Sequence, residues 1–205
     1  MNKLHTDYPS WSLPLVSEEK KKKIKIYAEW LSSEGIKKGL ISNKSDSYIW
    51  EEFIIHSLGF SRIITKQKQN KSICDLGTGA GIPGVPIAIT NPEKEVFLVD
   101  RSKKRIHELE RLKSILKIEN FVPTLSSAED FVSENVKKID IFVSRCFMPA
   151  EKIKKQIFID KERRKRKILL VSSNKEEKGN TFHVKQEKIL LNNGETRNID
   201  VLTLN

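Results

Sequence analysis

The sequence predicts an α/β protein: a mostly parallel, doubly wound sheet that ends in an antiparallel hairpin and carries an N-terminal helical cap. Three observations carry this expectation. From residue 72 onward short apolar runs alternate with helical stretches; a glycine-rich turn, ICDLGTGAGIPGVP at 73–86, follows the first run; and two strand-like tail segments flank Asn193-Gly194, a favoured hairpin dipeptide.

Each element has its own signal. Residues 17–33 read as a helix, with Ser17 as cap, Glu18 and Glu19 at the positive end, Ile24, Tyr27, Trp30 and Leu31 on one face, and Gly35 as the stop. A second helix begins near Ser47, where Trp50, Phe53, Ile54 and Leu58 repeat at helical spacing as core residues. The cap is expected to span residues 1–65, and residues 66–205 to form the sheet-containing part of one compact unit. Its strand runs are SICDL, EVFLV (95–99), FVPTL (121–125), IDIFVS (139–144) and KILLV (167–171), followed by 181–191 and 196–204. Ile106, Leu109, Leu112 and Leu116 mark a helix between the second and third runs. In such sheets ligands sit beyond the carboxyl ends of the strands, so Asp75, Asp100, Ser126 and Ser144 are expected to cluster.

Bulk properties narrow the function. A chain of 205 residues suits one domain. The net charge of +11 and pI near 9.6 point to a polyanionic partner, most simply nucleic acid, with an anionic membrane surface as the alternative. No apolar run approaches the roughly 20 residues of a membrane span, and MNKLHTDYPSW lacks a signal peptide's apolar stretch, so cytoplasmic residence is expected. Cys74 and Cys146 have no metal-site spacing and read as buried thiols, and no metal is expected. His5, His56, His107 and His183 are scattered, and no catalytic acid or base is assigned.

The glycines admit two ligands. Gly79, Gly81 and Gly84 satisfy G-x-G-x-x-G, with Asp100 placed for a ribose hydroxyl, which allows a dinucleotide. Three details favour S-adenosylmethionine instead. Asp75 would repel a pyrophosphate but attract an ammonium, Pro83 removes an N–H from the helix entrance, and Gly77 lies outside the dinucleotide pattern. A turn whose glycines serve only close packing is the remaining reading.

Four stretches carry a family resemblance: CDLGTGAGIPGVPIAI (74–89), FLVDRSKKRIHELE (97–110), LKIENFVPTLSSAEDF (116–131) and VSRCF (143–147). In order and spacing the chain resembles the glucose-inhibited division protein B family, the 16S ribosomal RNA guanine-N7 methyltransferases. The resemblance implies a Rossmann-like class I methyltransferase fold, S-adenosylmethionine as cofactor, and cofactor contacts at Gly77, Ile82, Ala128, Glu129 and Arg145. Asp75, Gly79, Gly81 and Asp100 complete the expected cofactor set. Two stretches depart from the family pattern: a His-x-x-Asp-Ser-Leu motif reads FIIHSL, with Phe53 for His and His56 for Asp, and the fifth strand lacks its usual Gly-Gly turn and lysine.

Guanine N7 offers a lone pair without losing a proton, which suits a site with no general base. The Asn/Asp-Pro-Pro-aromatic motif of exocyclic-amine methyltransferases is missing from the sequence. Two basic tracts are expected to hold RNA: Arg101, Lys103, Lys104 and Arg105 in the first, Arg163, Arg164, Lys165 and Arg166 in the second, where six of the residues 161–167 are basic. The expected partner is 16S ribosomal RNA or the 30S particle, with no membrane, and the chain is expected as a monomer. The rivals are a non-enzymatic RNA-binding or ribosome-assembly factor, an NAD-dependent oxidoreductase and a small-molecule methyltransferase.

Overall fold

A computed structural model describes residues 7–145, 151–158, 167–173 and 182–204. Among the described residues seven strands form one sheet: β1 (Ser72–Leu76), β2 (Glu95–Asp100), β3 (Phe121–Leu125), β4 (Ile141–Ser144), β5 (Ile168–Ser173), β6 (Phe182–Leu190) and β7 (Thr196–Leu204). Their order is β3-β2-β1-β4-β5-β7-β6. The first five are parallel, and β7 and β6 run antiparallel, as the sequence predicts. The chain winds outward from β1 to β3, then restarts at β4 on the other side, so the crevice beyond β1 and β4 is the topological switch point. Gly194, at φ +83°, makes the hairpin turn.

The helices are α1 (Glu18–Trp30), α2 (Asp46–Tyr48), α3 (His56–Thr65), α4 (Gly84–Thr90), α5 (Lys103–Leu116), α6 (Ala128–Asn135) and α7 (Glu151–Ile157). Ser17 caps α1 through its side chain, as expected. Gly35 does not stop that helix. A wide π-turn over Leu31–Gly35 carries it on, and the stop is Gly39, whose φ of +65° a glycine adopts at little cost. The second helix starts slightly earlier than Ser47, capped by Ser45, whose hydroxyl accepts from the Tyr48 N–H at 3.2 Å. A second π-turn, Ile49–Ile55, joins α2 to α3, and every residue in it is buried.

Period-two alternation divides the core. Ile73 belongs to the cluster shared with α1, α3, α4 and α5, whereas Cys74 and Leu76 face the cluster built with α6 and α7. Asp75 therefore points to the first face, beneath α4. Cys74 is a buried free thiol, as expected, and Cys146 lies outside the described residues. Among the described residues no helix is long and apolar enough to cross a membrane.

Gly59 on α3 lies against Ile189 of β6. An added Cβ would sit 2.6 Å from Ile189 Cγ1. The helix-propensity gain of Gly59→Ala, about 1 kcal/mol, is smaller than an overpacking cost of about 1–3 kcal/mol. Urea unfolding of Gly59→Ala is expected to show a lower midpoint with an unchanged slope.

Candidate active site

The glycine-rich turn is folded around Asp75. This carboxylate is fully buried, and its Oδ2 accepts from Thr78 Oγ1 at 2.7 Å and from the Gly84 N–H at 2.9 Å. Gly84 must be glycine here, since a Cβ would lie 2.2 Å from Leu98 Cδ2 and 2.7 Å from Asp75 Oδ2. Burial pushes the Asp75 carboxyl up to about 7, against the lowering effect of its bonds to Thr78 and Gly84. From α1, the buried Tyr27 hydroxyl donates to Ala80 O at 3.0 Å.

The turn's N–H groups are largely committed to the protein itself. Gly77 and Thr78 donate to Val99 O at 2.9 and 3.0 Å, and Gly79 donates to Asp100 Oδ2 at 3.0 Å. Gly81 and Ile82 both donate to Thr78 O, and Gly84 to Asp75. Such a turn offers a ligand bare Cα surface more than an anion cradle.

In front of it lies a cavity of about 600 Å³, within the usual range for small-molecule sites. Gly77, Gly79 and Ile82 line it from the turn, Asp100 and Arg105 from the end of β2 and the start of α5, Ala128 and Glu129 from α6, and Arg145 from the end of β4. A Cβ at Gly79 would meet nothing nearer than Gly77 O at 4.0 Å, so this glycine faces open space. Asp100 is almost wholly buried; Oδ1 accepts from the Ser102 N–H at 2.9 Å, and Oδ2 from Arg105 Nη1 at 3.1 Å as well as from Gly79.

Arg145 packs on Phe53 with its guanidinium carbon 4.9 Å from the ring centre. Its Nε is 3.5 Å from His56 Nδ1, and its Nη2 is 3.7 Å from Glu52 Oε2. Burial, reinforced by Arg145 and Arg197, pushes His56 down to about 3, so the imidazole is neutral at physiological pH.

Of the nine residues the sequence assigns to a cofactor, seven line this cavity: Gly77, Gly79, Ile82, Asp100, Ala128, Glu129 and Arg145. Asp75 and Gly81 lie behind the turn. At Gly81 a Cβ would be 2.5 Å from Val85 Cγ2 and 3.1 Å from Leu109 Cδ2, so this glycine serves packing. Ser126 joins Asp100 at the rim, while Ser144 is buried, its hydroxyl 3.4 Å from Leu76 O.

From the first basic tract, Arg101 and Arg105 line the cavity, and Lys103 and Lys104 are exposed beside it on the first turn of α5. Arg163, Arg164, Lys165 and Arg166 lie outside the described residues. Lys167, the last residue of that tract, is turned inward: its ammonium donates to Val136 O and, at 2.8 Å, to Ile139 O. It is part of the interior and not a surface cation.

Several wall residues carry no sequence signal, among them Leu40, Ile41 and Ser42 in the irregular segment after α1. Phe53 belongs to both core and cavity, because the helix that carries it passes under the strand ends. Glu51 and Glu52 did leave a trace: two acids within the apolar run IWEEFII demand buried partners.

Residues 20–204 match the model of the GidB family, rRNA small subunit methyltransferase G. The chain belongs to the GidB family. It is 33% identical over 140 residues to ribosomal RNA small subunit methyltransferase G of Bacteroides fragilis, covering 66% of this chain and 64% of that one. The corresponding protein of Mycobacterium marinum is 29% identical over 129 residues, covering 63% and 55%. That of Vibrio atlanticus is 33% identical over 132 residues, covering 64% and 60%. The chain thus spans less than two thirds of the length of these curated relatives.

Among solved structures, a mutant of MtNAS superposes with a TM-score of 0.56 at 10% identity, covering 98% of this chain and 83% of that one. A Klebsiella pneumoniae protein put forward as an O-methyltransferase gives 0.56 at 8% identity, covering 93% and 91%. The sheet has the Rossmann-like class I methyltransferase fold that the resemblance implies.

The two replaced positions of the FIIHSL stretch meet at one point, since Phe53 and His56 both touch Arg145. An anion facing Arg145 is Glu52, one helical turn before His56.

The raised carboxyl of Asp75 has a signed consequence. Between about 4 and 7 the folded chain binds more protons at this group than the unfolded chain, so its contribution to stability is full below the unfolded value and is lost as pH rises through about 7. Asp75→Asn removes the titration. Paired urea titrations are expected to show wild type gaining stability relative to Asp75→Asn on going from pH 8 to pH 5, and a pH-independent difference would contradict this.

Proposed function

We propose that this chain is an S-adenosylmethionine-dependent methyltransferase that modifies N7 of a guanine in 16S ribosomal RNA. The observation that carries the reading is the occupied backbone of the glycine turn: its N–H groups are consumed by Val99 O, Asp100, Thr78 O and Asp75. A diphosphate would find few free donors and no vacant helix entrance at Gly84. A nucleoside needs only close approach over bare Cα surface, plus an acid for its ribose hydroxyls. Family membership and the basic tract at 101–105 point the same way.

In this reading Asp100 accepts the ribose hydroxyls, Ile82 packs on the adenosine, and Ala128 and Glu129 meet adenine's polar edge. The cofactor supplies a methyl group on a sulfonium, already activated for displacement. What the chain adds is orientation. Holding methyl carbon and N7 in near-attack geometry can contribute up to about 7–11 kcal/mol. Guanine N7 carries its own lone pair, so no residue has to remove a proton. In the same reading the target base lies beside Arg145 and Phe53, which is supported by the position of Arg145 after β4, on the side of β1 away from β2 and β3.

N7 lies in the major groove, which in A-form RNA is too narrow for side chains, so the target is an unpaired guanine. Arg101, Lys103, Lys104 and Arg105 ring the mouth on the α5 side and are suited to its flanking phosphates. Before residue 65, Leu40, Ile41, Ser42 and Phe53 supply a further wall as part of the cap. In keeping with its substrate, the chain works as a cytoplasmic monomer.

The test is incorporation of label from S-adenosylmethionine into 30S particles lacking the modification, with 7-methylguanine located by aniline cleavage. Wild type is expected to label one site, and Gly77→Arg, which fills the turn, none. Absence of both labelling and calorimetric cofactor binding in wild type would overturn the reading. Lys104→Ala is expected to weaken RNA binding and lower its salt slope by about one.

A further inference from the structure

Among the described residues three arginines line the cavity, Arg101, Arg105 and Arg145, a poor setting for a cation. Arg105 is paired with Asp100. Arg145 is the more enclosed, its side chain 10% exposed against 43% for Arg105, so its charge is less screened by water. It stands at the end of the cavity where the methyl group and target base belong.

The buried carboxylate that meets it is Glu52, itself gripped from β7. Arg197 Nε donates to Glu52 Oε2 at 3.2 Å, and Arg197 Nη2 to Glu52 Oε1. Arg197 Nη2 also reaches Glu195 Oε2 at 2.6 Å, so these two arginines and two glutamates carry equal and opposite charge, and the buried Asp75 also feels the Arg145 charge. His56, beside Arg145, is neutral and adds no charge to this group.

We infer that Glu52 is a positioning counter-ion for the cavity: acting through Arg145, it cancels the arginine's charge where a sulfonium must lie, and so sets the preference for the cationic cofactor over its uncharged thioether product. This rests on the cofactor reading above. The two ligands share every contact except the methyl group and its charge. Their affinity ratio therefore isolates the electrostatic contribution, which a purely structural role for Glu52 would not move.

Calorimetry on the full chain with S-adenosylmethionine and S-adenosylhomocysteine tests this. Glu52→Gln is expected to shift the ratio against the sulfonium by roughly three- to ten-fold, the effect of one added charge at moderate distance in a partly screened site. The thioether should bind about as in wild type. His56 Nδ1 lies 3.5 Å from Arg145 Nε, so a carboxylate at 56 reaches the same guanidinium. Adding His56→Asp to Glu52→Gln is accordingly expected to restore the ratio.

His56→Asp alone, which keeps Glu52, should move the ratio toward the sulfonium, and it decides the matter if Glu52→Gln does not fold. A ratio equal to that of wild type in whichever of the two single variants folds would overturn the counter-ion role while leaving the cofactor reading standing. Wild type binding neither ligand would instead bring down both.

Discussion

A single buried carboxylate sets the shape of the glycine turn. Removing Asp75 from water is costly, and the bonds from Thr78 and Gly84 offset that cost only if the chain curls back over the end of β1. The curl requires left-handed backbone at Gly77, Gly79 and Gly81, with φ of 71°, 60° and 91°. It also requires a residue without Cβ at Gly84. Four glycines thus answer one electrostatic demand, and only two of them, Gly77 and Gly79, also present a surface to the cavity.

The same folding explains why the turn is suited to a nucleoside. Once Gly77, Thr78 and Gly79 have given their N–H groups to β2, the floor of the cavity is rigid and poor in donors. Polarity is then concentrated at discrete points: the Asp100 carboxylate, the start of α6, and the Arg145 guanidinium. A ligand is positioned by those points and by shape, so the site is organised before anything enters it, which limits the ordering cost of binding.

Much of this was legible in the sequence because parallel strands covered on both faces appear as continuous apolar runs, and five such runs correspond to the five parallel strands. The turn was legible because glycine density reports backbone geometry directly. Which glycine meets ligand was not: the period-two pleat and the crossing of α5 decide that Asp75 and Gly81 face inward. Gly35 and Gly39 illustrate a local version of the problem. Either can end a helix, and only the packing of Gly35 near Leu31 and Ile41 shows that it stays helical. The pairing of Glu52 with Arg145 and Arg197 was beyond reach, since it joins residues 93 and 145 positions apart through the sheet order.

That sheet order gives the C-terminal hairpin a role beyond closing an edge. Glu51 accepts from the Asn192 N–H at 2.9 Å and Glu52 from Arg197, so both buried acids of the π-turn find their partners on or beside the hairpin. Trp11 Nε1 donates to Leu190 O at 2.9 Å, tying the N-terminal segment to the same strand. Unpaired, two acids in that buried helix would be strongly destabilising. The docked hairpin therefore supports the helix where it passes under the strand ends, and that helix carries Phe53 and holds Arg145. The last strands to be made thus fix the wall of a cavity whose floor was set by the first.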